Sequence, residues 1–302
     1  MKKSGGLICC LLAAFFWGTT FVAQDTAART IPPFTFLALR SFVGAAALAL
    51  VFFLMDRTRK KKGTYEKPTA TRKRLTWVSG AFCGVFLCAA SALQQFGIAS
   101  NTGSPGKDAF ITALYIVFVP LFGLFLGRRA APHVYGCVAV ALVGLWLLCM
   151  NGSSLTTGDV QLILCSVLFA CQMILVDLVG DRVDAVRLSA VQFLVVGAIS
   201  LLLAVIFETP TLGGVLTGWW TVLYAGILSS AVAYTLQIVG QQRSPAAVAS
   251  LVLSLESVVA VVASMVALRL YPTFTEILGM SLIFLSIVVC EIPWKSLRKA
   301  VG

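Results

Sequence analysis

Ten apolar runs dominate this chain, and each is long enough to cross the hydrocarbon core of a bilayer. A transmembrane helix needs about 17–25 predominantly apolar residues. The runs lie at residues 7–24, 33–55, 75–97, 105–126, 132–150, 159–179, 187–207, 219–240, 245–268 and 272–292. Charged residues make up 12% of the chain, against about 25% in soluble globular proteins. The sequence therefore predicts an all-α integral membrane protein with ten transmembrane helices.

Basic residues alternate between the two sides of these runs. If the N-terminus is cytoplasmic, 19 of the 23 lysines and arginines lie in cytoplasmic segments, whereas Arg29, Lys107 and Arg269 lie outside. This bias follows the positive-inside rule and predicts that both termini are cytoplasmic. Nine of the basic residues lie in the loop 56–74, which could also contact anionic lipid headgroups. The net charge of +11 could suggest nucleic-acid binding, but this distribution of the basic residues argues against it.

A repeat with an offset of 143 residues relates the two halves of the chain. It links six pairs of identical residues: Trp77–Trp220, Ala90–Ala233, Leu93–Leu236, Gln94–Gln237, Gly97–Gly240 and Gly136–Gly279. Each half holds five runs, and because five is odd the second copy enters the membrane inverted. We therefore expect two inverted five-helix repeats, residues 1–150 and 151–302. Inverted repeats are typical of secondary transporters, whose substrate site lies near the membrane midplane between the halves.

Glu256 is the most informative polar residue because it lies in the middle of the ninth run, where a charge is costly. It either binds a proton or a cationic or amine-bearing substrate, or is satisfied by hydrogen bonds at a helix interface. Its counterpart in the first half is Tyr115. Helical spacing predicts that Tyr115 shares a face with Asp108 and Thr112 and lines the site. Alternatively, Asp108 lies at the membrane interface beside Lys107.

Amides and aromatic side chains complete the candidate site. Gln94 and Gln237 are repeated amides that either bind substrate or form interhelical hydrogen bonds. Trp17 is a candidate stacking wall for an organic substrate, or packs as other large aromatic residues do. The predicted substrate-binding set is Trp17, Gln24, Gln94, Asp108, Thr112, Tyr115, Gln172, Tyr234, Gln237 and Glu256.

Arg40 and Pro120 are predicted to have structural or gating roles. A buried arginine needs an acidic or carbonyl partner, so a fixed ion pair or a gate contact is favoured over substrate binding. Pro120 lies inside the fourth run, where it should free a backbone carbonyl and bend the helix. The patterns Gly80-x-x-x-Gly84 and Gly123-x-x-x-Gly127 predict close helix contacts.

The sequence offers little for catalysis or metal binding. His133 is the single histidine, so neither a His-Glu-x-x-His metal site nor an independent Ser–His pair can be assembled readily. The nine cysteines all lie in apolar runs and are expected to be reduced packing residues. We expect no cofactor, no metal and no catalytic residues. The alternative functions are an intramembrane enzyme and a membrane receptor or scaffold without transport.

Several motifs, in order along the chain, resemble the drug/metabolite transporter superfamily and its ten-helix EamA-type carriers. They are Trp17-Gly18-Thr19-Thr20-Phe21, Arg40-Ser41-Phe42, residues 110–120, Gly158-Asp159 and Leu253-Ser254-Leu255-Glu256. The resemblance implies export or exchange of small organic metabolites, such as amino acids, across a bacterial cytoplasmic membrane. Two features depart from the family pattern. Ser257 stands where proline is usual, and the Gly-Glu pair that often follows the fourth and ninth helices is absent.

Together these observations predict a mechanism. The two halves would alternate access to a central cavity lined by the first, third, fourth, sixth, eighth and ninth helices. Glu256 would couple transport to protons. The expected partners are a small-molecule substrate, membrane lipid and protons.

Overall fold

The computed structural model describes residues 2–65, 68–149 and 156–291, in which helices are the sole regular secondary structure. The helices of the first half are α1 (Lys2–Ala28), α2 (Pro33–Lys61), α3 (Ala70–Ser100), α4 (Pro105–Thr112), α5 (Tyr115–Phe125) and α6 (Pro132–Cys149). Those of the second half are α7 (Thr157–Val179), α8 (Ala185–Phe207), α9 (Leu212–Thr217), α10 (Trp219–Tyr224), α11 (Tyr234–Gln241), α12 (Ala246–Leu253), α13 (Leu255–Leu268) and α14 (Phe274–Glu291). A π-helical segment, Ala225–Ala233, joins α10 to α11. The predicted all-α class is confirmed.

Eight helical stretches in the described residues are long and apolar enough to cross a membrane. They are Gly5–Ala28, Pro33–Lys61, Ala70–Ser100, Pro105–Phe125, Thr157–Val179, Ala185–Phe207, Trp219–Gln241 and Ala246–Leu268. The fifth and tenth predicted runs contain shorter apolar helices, Pro132–Gly144 and Ile277–Cys290. All ten runs are therefore helical where they are described, and eight meet the length and composition expected of a span.

Two helices extend past their predicted ends. α2 continues to Lys61 and α3 begins at Ala70, so both include residues of the basic loop. The hydroxyl of Thr69 caps α3 by accepting a hydrogen bond from the Arg72 amide at 3.2 Å. Long basic side chains are stable at such helix ends because their methylene groups cover apolar surface while the charged group reaches water.

The distribution of side chains is that of a membrane-embedded bundle. Large apolar residues are exposed, with Phe125 at 81% and Val205 at 76% of their accessible surface. Polar residues such as Gln95, Gln172 and Ser189 are instead fully buried. An apolar surface of this extent would cause association in water. In a bilayer it contacts lipid tails, while polar groups must find partners inside the protein.

Glycines allow the helices to approach closely. A Cβ atom at Gly84 would lie 2.8 Å from the Gln192 carbonyl oxygen, and one at Gly80 would lie 2.7 Å from Val191. The predicted Gly80-x-x-x-Gly84 contact is therefore confirmed, with α8 as the partner. The second pattern is not a contact face. Gly127 has a φ of 71° and follows α5, where its left-handed conformation ends the helix.

Helices of the two halves interleave with reciprocal contacts. α3 packs along α7, and their counterparts by the sequence repeat, α11 and α1, also pack together. α1 packs on α13, and α7 in turn packs on α4 and α5. α2 packs on its counterpart α8, and α6 packs on α14. Reciprocal pairing is the pattern expected where two like units are related by a two-fold axis.

Polar contacts connect helix ends at both ends of the bundle. Four such contacts are Glu208–Thr35, Lys107–Asp159, Arg187–Asp56 and Arg128–Asp177. The first two lie at one end of the bundle and the last two at the other. Between these two layers lies the part of the interior in which polar side chains surround a cavity.

Candidate functional site

A small polar cavity lies between the two layers and has a volume of about 30 Å³. Residues from α1, α2, α3, α4, α5, α7, the π-helical segment, α11 and α13 contribute to its wall. The lining residues are Trp17, Phe21, Gln24, Arg40, Gln94, Thr112, Tyr115, Phe169, Gln172, Met173, Ser229, Tyr234, Gln237 and Glu256. Side chains from both halves of the chain therefore meet around one space.

Nine of the ten residues predicted to bind substrate line this cavity, and so does Arg40. Asp108 and Pro120 do not. Sequence reasoning missed the lining residues Phe21, Phe169, Met173 and Ser229. Phe21 could have been found because it lies one helical turn after Trp17, and Phe169 because it occupies the position of Trp17 in the second half. Ser229 lies in the π-helical segment, which the sequence pattern does not reveal.

Arg40 and Glu256 bring a basic and an acidic side chain to the cavity wall. Both are buried, with 4% and 3% of their surface exposed. Among the described residues, neither forms a salt bridge. The Arg40 guanidinium lies 5.5 Å from the centre of the Phe36 ring. Of the two structural roles expected for Arg40, the fixed ion pair is not formed with any described carboxylate, and the gate contact stays a prediction.

Buried polar atoms without a hydrogen-bond partner concentrate in this cavity. Within the described part of the chain, six lining residues carry one: Trp17 Nε1, Arg40 Nε, Thr112 Oγ1, Tyr115 Oη, Gln237 Oε1 and Glu256 Oε1. Leaving one buried polar group unpaired costs about 1–3 kcal/mol, and more for a charged group. Native interiors rarely tolerate such a concentration unless water, an ion or a ligand completes the bonding. The wall thus offers donors, acceptors, a basic group and an acidic group to a polar guest.

Hydrogen bonds link the buried glutamines into two networks beside the cavity, one in each half of the chain. In the first half, Gln24 Nε2 donates to Gln94 Oε1 at 3.2 Å and to Gln95 Oε1 at 3.1 Å. In the second half, Gln237 Nε2 donates to Gln172 Oε1 at 3.1 Å. Each network joins helices of the same half. These amides therefore stabilise the packing within a half and do not link one half to the other. They also leave Gln237 Oε1 facing the cavity.

Aromatic rings form one wall of the cavity. The Trp17 and Tyr234 rings meet edge to face with their centres 4.7 Å apart, and Tyr234 meets Phe193 in the same way at 5.1 Å. Edge-to-face contacts of this kind are stabilising and fix the orientation of the rings. Trp17 therefore has a packing role, and its ring also faces the cavity. Both sequence interpretations of Trp17 are compatible with this position.

Two membrane helices have a locally tightened turn beside the cavity. In the fourth run this turn lies between α4 and α5, immediately before Tyr115. In the ninth it lies between α12 and α13 at Ser254, two residues before Glu256. Tyr115 and Glu256 thus occupy equivalent places just after these turns, and the Tyr115 hydroxyl lies next to the Glu256 carboxyl group without completing a hydrogen bond of good geometry. The residues of both turns keep right-handed helical dihedral angles and bond three residues back, so each span continues as one helix with a locally tightened turn.

Serines replace proline at the second tightened turn. Ser257, which stands at the usual proline position, donates from its hydroxyl to the Ser254 carbonyl at 2.6 Å. Its backbone amide bonds to the same carbonyl at 3.1 Å, in a tighter turn than an α-helix allows. Serine hydroxyls that bond back to the preceding turn often bend helices. Pro120 lies inside α5, beyond the first tightened turn, and the helix continues through it.

Asp108 lies away from the cavity, which agrees with the second of its two sequence interpretations, a position near the helix end beside Lys107. Asp108 lies on the same face of α4 as the cavity residue Thr112 but four residues nearer the start of the helix, which is about 6 Å of helical rise. Asp108 Oδ1 instead accepts a hydrogen bond from Asn101 Nδ2 at 3.1 Å, and the same amide donates to Asp159. The fully buried Asp108 belongs to the polar layer at one end of the bundle, near the Lys107–Asp159 ion pair.

Comparison with known proteins decides what this cavity belongs to. The sequence profile of the EamA-like transporter family matches residues 4–150 and again residues 156–291, which is nearly the whole chain. The chain belongs to the EamA-like transporter family. It is thus a membrane transporter and not an enzyme, and the family is consistent with the drug/metabolite transporter superfamily that the motifs resemble.

Relatives of this EamA-like transporter have the same description. An uncharacterized transporter of Archaeoglobus fulgidus is 24% identical over 93% of this chain and 84% of its own length. The uncharacterized transporter YoaV of Bacillus subtilis is 23% identical, over 88% and 90%. A crystal structure with 20% sequence identity superposes with a TM-score of 0.76 and covers 98% of this chain and 99% of its own. The fold is therefore one that a solved structure shares from end to end.

Two buried threonines test whether the unpaired groups serve binding rather than folding. Thr20 donates to the Phe16 carbonyl at 2.6 Å, whereas Thr112 has an unpaired hydroxyl in the cavity. Thr20→Val should lower the free energy of unfolding by about 1 kcal/mol, because it removes a formed hydrogen bond. Thr112→Val should leave the thermal unfolding midpoint of the detergent-purified protein unchanged or raise it. Equal destabilisation by both substitutions would contradict a binding role for Thr112.

Proposed function

We propose that this transporter exports or exchanges amino acids or closely related metabolites that carry both a positive and a negative group. The observation that carries the proposal is the presence of Arg40 and Glu256 in one cavity, each without an ionic partner among the described residues. A guanidinium binds a carboxylate through two parallel hydrogen bonds. A zwitterion would thus give its carboxylate to Arg40 and its ammonium group to Glu256.

A single ion would satisfy this cavity less well. A buried charge without a partner is energetically costly. A lone anion would pair with Arg40 and leave Glu256 unpaired, and a lone cation would do the reverse. Tyr234 lies close to both charged groups, and its ring forms the aromatic wall with Trp17. Aromatic faces also attract an ammonium group. The wall therefore favours a guest with both charges on a short organic frame.

Transport requires this cavity to open. A volume of about 30 Å³ has room for about two water molecules, whereas sites for organic ligands measure about 300–1,000 Å³. Polar layers cover the cavity at both ends, including Lys107–Asp159 on one side and Arg128–Asp177 on the other. We infer alternating access, in which one layer opens while the other stays closed.

The frame for this motion is ten transmembrane helices arranged as two inverted repeats, residues 1–150 and 151–302. Three observations support it: the two family matches along the chain, the reciprocal helix contacts and the paired tightened turns before Tyr115 and Glu256. Residues that differ between equivalent positions of the two repeats would select the cargo. The glutamines that the repeats share would stabilise the packing within each half. Glu256 would also carry protons during the cycle.

We place both termini in the cytoplasm of a bacterial cell, with the protein in the cytoplasmic membrane. The bias of basic residues supports this orientation. In addition, each of the four polar contacts between helix ends joins two ends that lie on the same side of the membrane when successive helices cross it in alternate directions.

A thermal-shift panel tests the proposed cargo. Ligands that bind the native state raise the unfolding midpoint, and at equal concentration a tighter ligand raises it more. Among the twenty amino acids, at least one should stabilise the purified protein, while its decarboxylated amine and its deaminated acid should not. Arg40→Gln should abolish the stabilisation, as should Glu256→Gln. The matched control Arg129→Gln changes one charge at an exposed position outside the cavity and should leave the response intact. Stabilisation by a single-charge analogue alone would contradict the zwitterion proposal.

Labelling of single cysteines tests the orientation. In a variant that lacks the nine native cysteines, Gly213→Cys and Thr64→Cys each introduce one exposed thiol at opposite ends of the bundle. A membrane-impermeant maleimide added to intact cells should label Gly213→Cys strongly. It should label Thr64→Cys after the cells are permeabilised and not before. The opposite pattern would place the termini outside.

A further inference from the structure

A large groove opens on the side of the bundle, apart from the polar cavity. It lies between α2 and α3, with α8 as its floor, and its volume is about 880 Å³. Small side chains leave this space open: Ala45, Ala46, Ala49 and Ala190. Phe42 closes the deep end by packing on Gly197, where a Cβ atom would approach its ring to 3.0 Å.

The dimensions of the groove match one leaflet of a bilayer. Its apolar part runs along α2 from Phe42 to Phe52, which is about 15 Å at the helical rise per residue. That is half of the hydrocarbon thickness of about 30 Å. Charged residues follow within two turns, beginning with Asp56 and Arg59. The change from apolar to charged lining thus falls at the depth where acyl chains end and headgroups begin.

The charged end of the groove has an excess of positive groups. It contains the cations Arg59, Arg72, Lys73 and Arg187 and the anions Asp56 and Asp184. Arg187 is engaged by Asp56 at 2.6 Å, and Asp184 caps α8 through the Arg187 amide. Arg59, Arg72 and Lys73 form no salt bridge within the described ranges. Three cations are therefore available to one ligand at this end.

We propose that this groove is a specific binding site for one anionic phospholipid. One or both acyl chains lie between α2 and α3, and the phosphate contacts Arg59, Arg72 and Lys73. Basic pockets at the headgroup level of helix bundles bind anionic lipids in this way. A bound lipid fills the space between α2 and α3 and holds both helices against α8.

Lipid titration of the full-length protein in a mild detergent tests this site. Native mass spectrometry should detect one tightly bound dioleoylphosphatidylglycerol. Its dissociation constant should be about tenfold or more below that of dioleoylphosphatidylcholine, which has the same chains and no net charge. Glycerol 3-phosphate, which has the phosphate without chains, should not displace the lipid at equal concentration. Equal affinity for both lipids, or displacement by glycerol 3-phosphate, would overturn the proposal.

Matched variants distinguish lipid binding in the groove from a non-specific attraction of anionic lipids to the basic loop. Arg59→Gln with Arg72→Gln should weaken phosphatidylglycerol binding about tenfold or more, since each basic residue near a membrane surface contributes to anionic lipid binding. Arg57→Gln with Arg74→Gln removes the same charge from the same loop outside the groove and should change the affinity less than twofold. Ala46→Phe narrows the apolar part and should weaken binding with the charges unchanged. Equal loss in the two double variants would overturn the assignment.

Discussion

A basic and an acidic side chain, Arg40 and Glu256, lie inside this membrane protein without an ionic partner among its described residues, and our account of the interior starts from that constraint. A charge in a membrane helix is costly and must face a partner or a polar cavity. In this transporter both side chains face one cavity, together with four other lining residues that carry an unpaired polar atom. Such a wall is unfavourable for folding alone and favourable for binding a polar cargo, which is the usual trade between stability and function.

The rest of the bundle compensates for this wall. Glutamine networks pair most of the buried amides within each half, and glycines bring α3 against α8 and α1 against α13. The tightened turns before Tyr115 and Glu256 lie beside the cavity that also contains Arg40. On our proposal, the two like halves move relative to each other and so change access to the cavity. Residues shared by the halves would build the frame, and the asymmetric Tyr115–Glu256 pair would supply the chemistry.

Much of this arrangement was predictable from the sequence, because a bilayer restricts both the length of helices and the location of charge. The positions of the helices, the family and most cavity residues follow from apolar runs, a repeat and a few buried polar residues. Three features did not. Asp108 shares a helix face with Thr112, but it lies one turn nearer the end of the bundle and bonds to Asn101, a tertiary contact that helical spacing does not reveal. The π-helical segment that contributes Ser229 depends on packing against α2. Arg40 was expected to need a fixed partner, whereas its partner, on our proposal, is the cargo.

Uptake into proteoliposomes tests the central claim most directly. Vesicles containing the wild-type protein should accumulate label from an equimolar mixture of the twenty radiolabelled amino acids above the level of protein-free vesicles, and a pH gradient should change the rate. Glu256→Gln should reduce the rate at least tenfold and abolish its response to the gradient, whereas Arg129→Gln, at an exposed position outside the cavity, should retain both. Undiminished and still pH-dependent uptake by Glu256→Gln would contradict the role that we assign to the cavity.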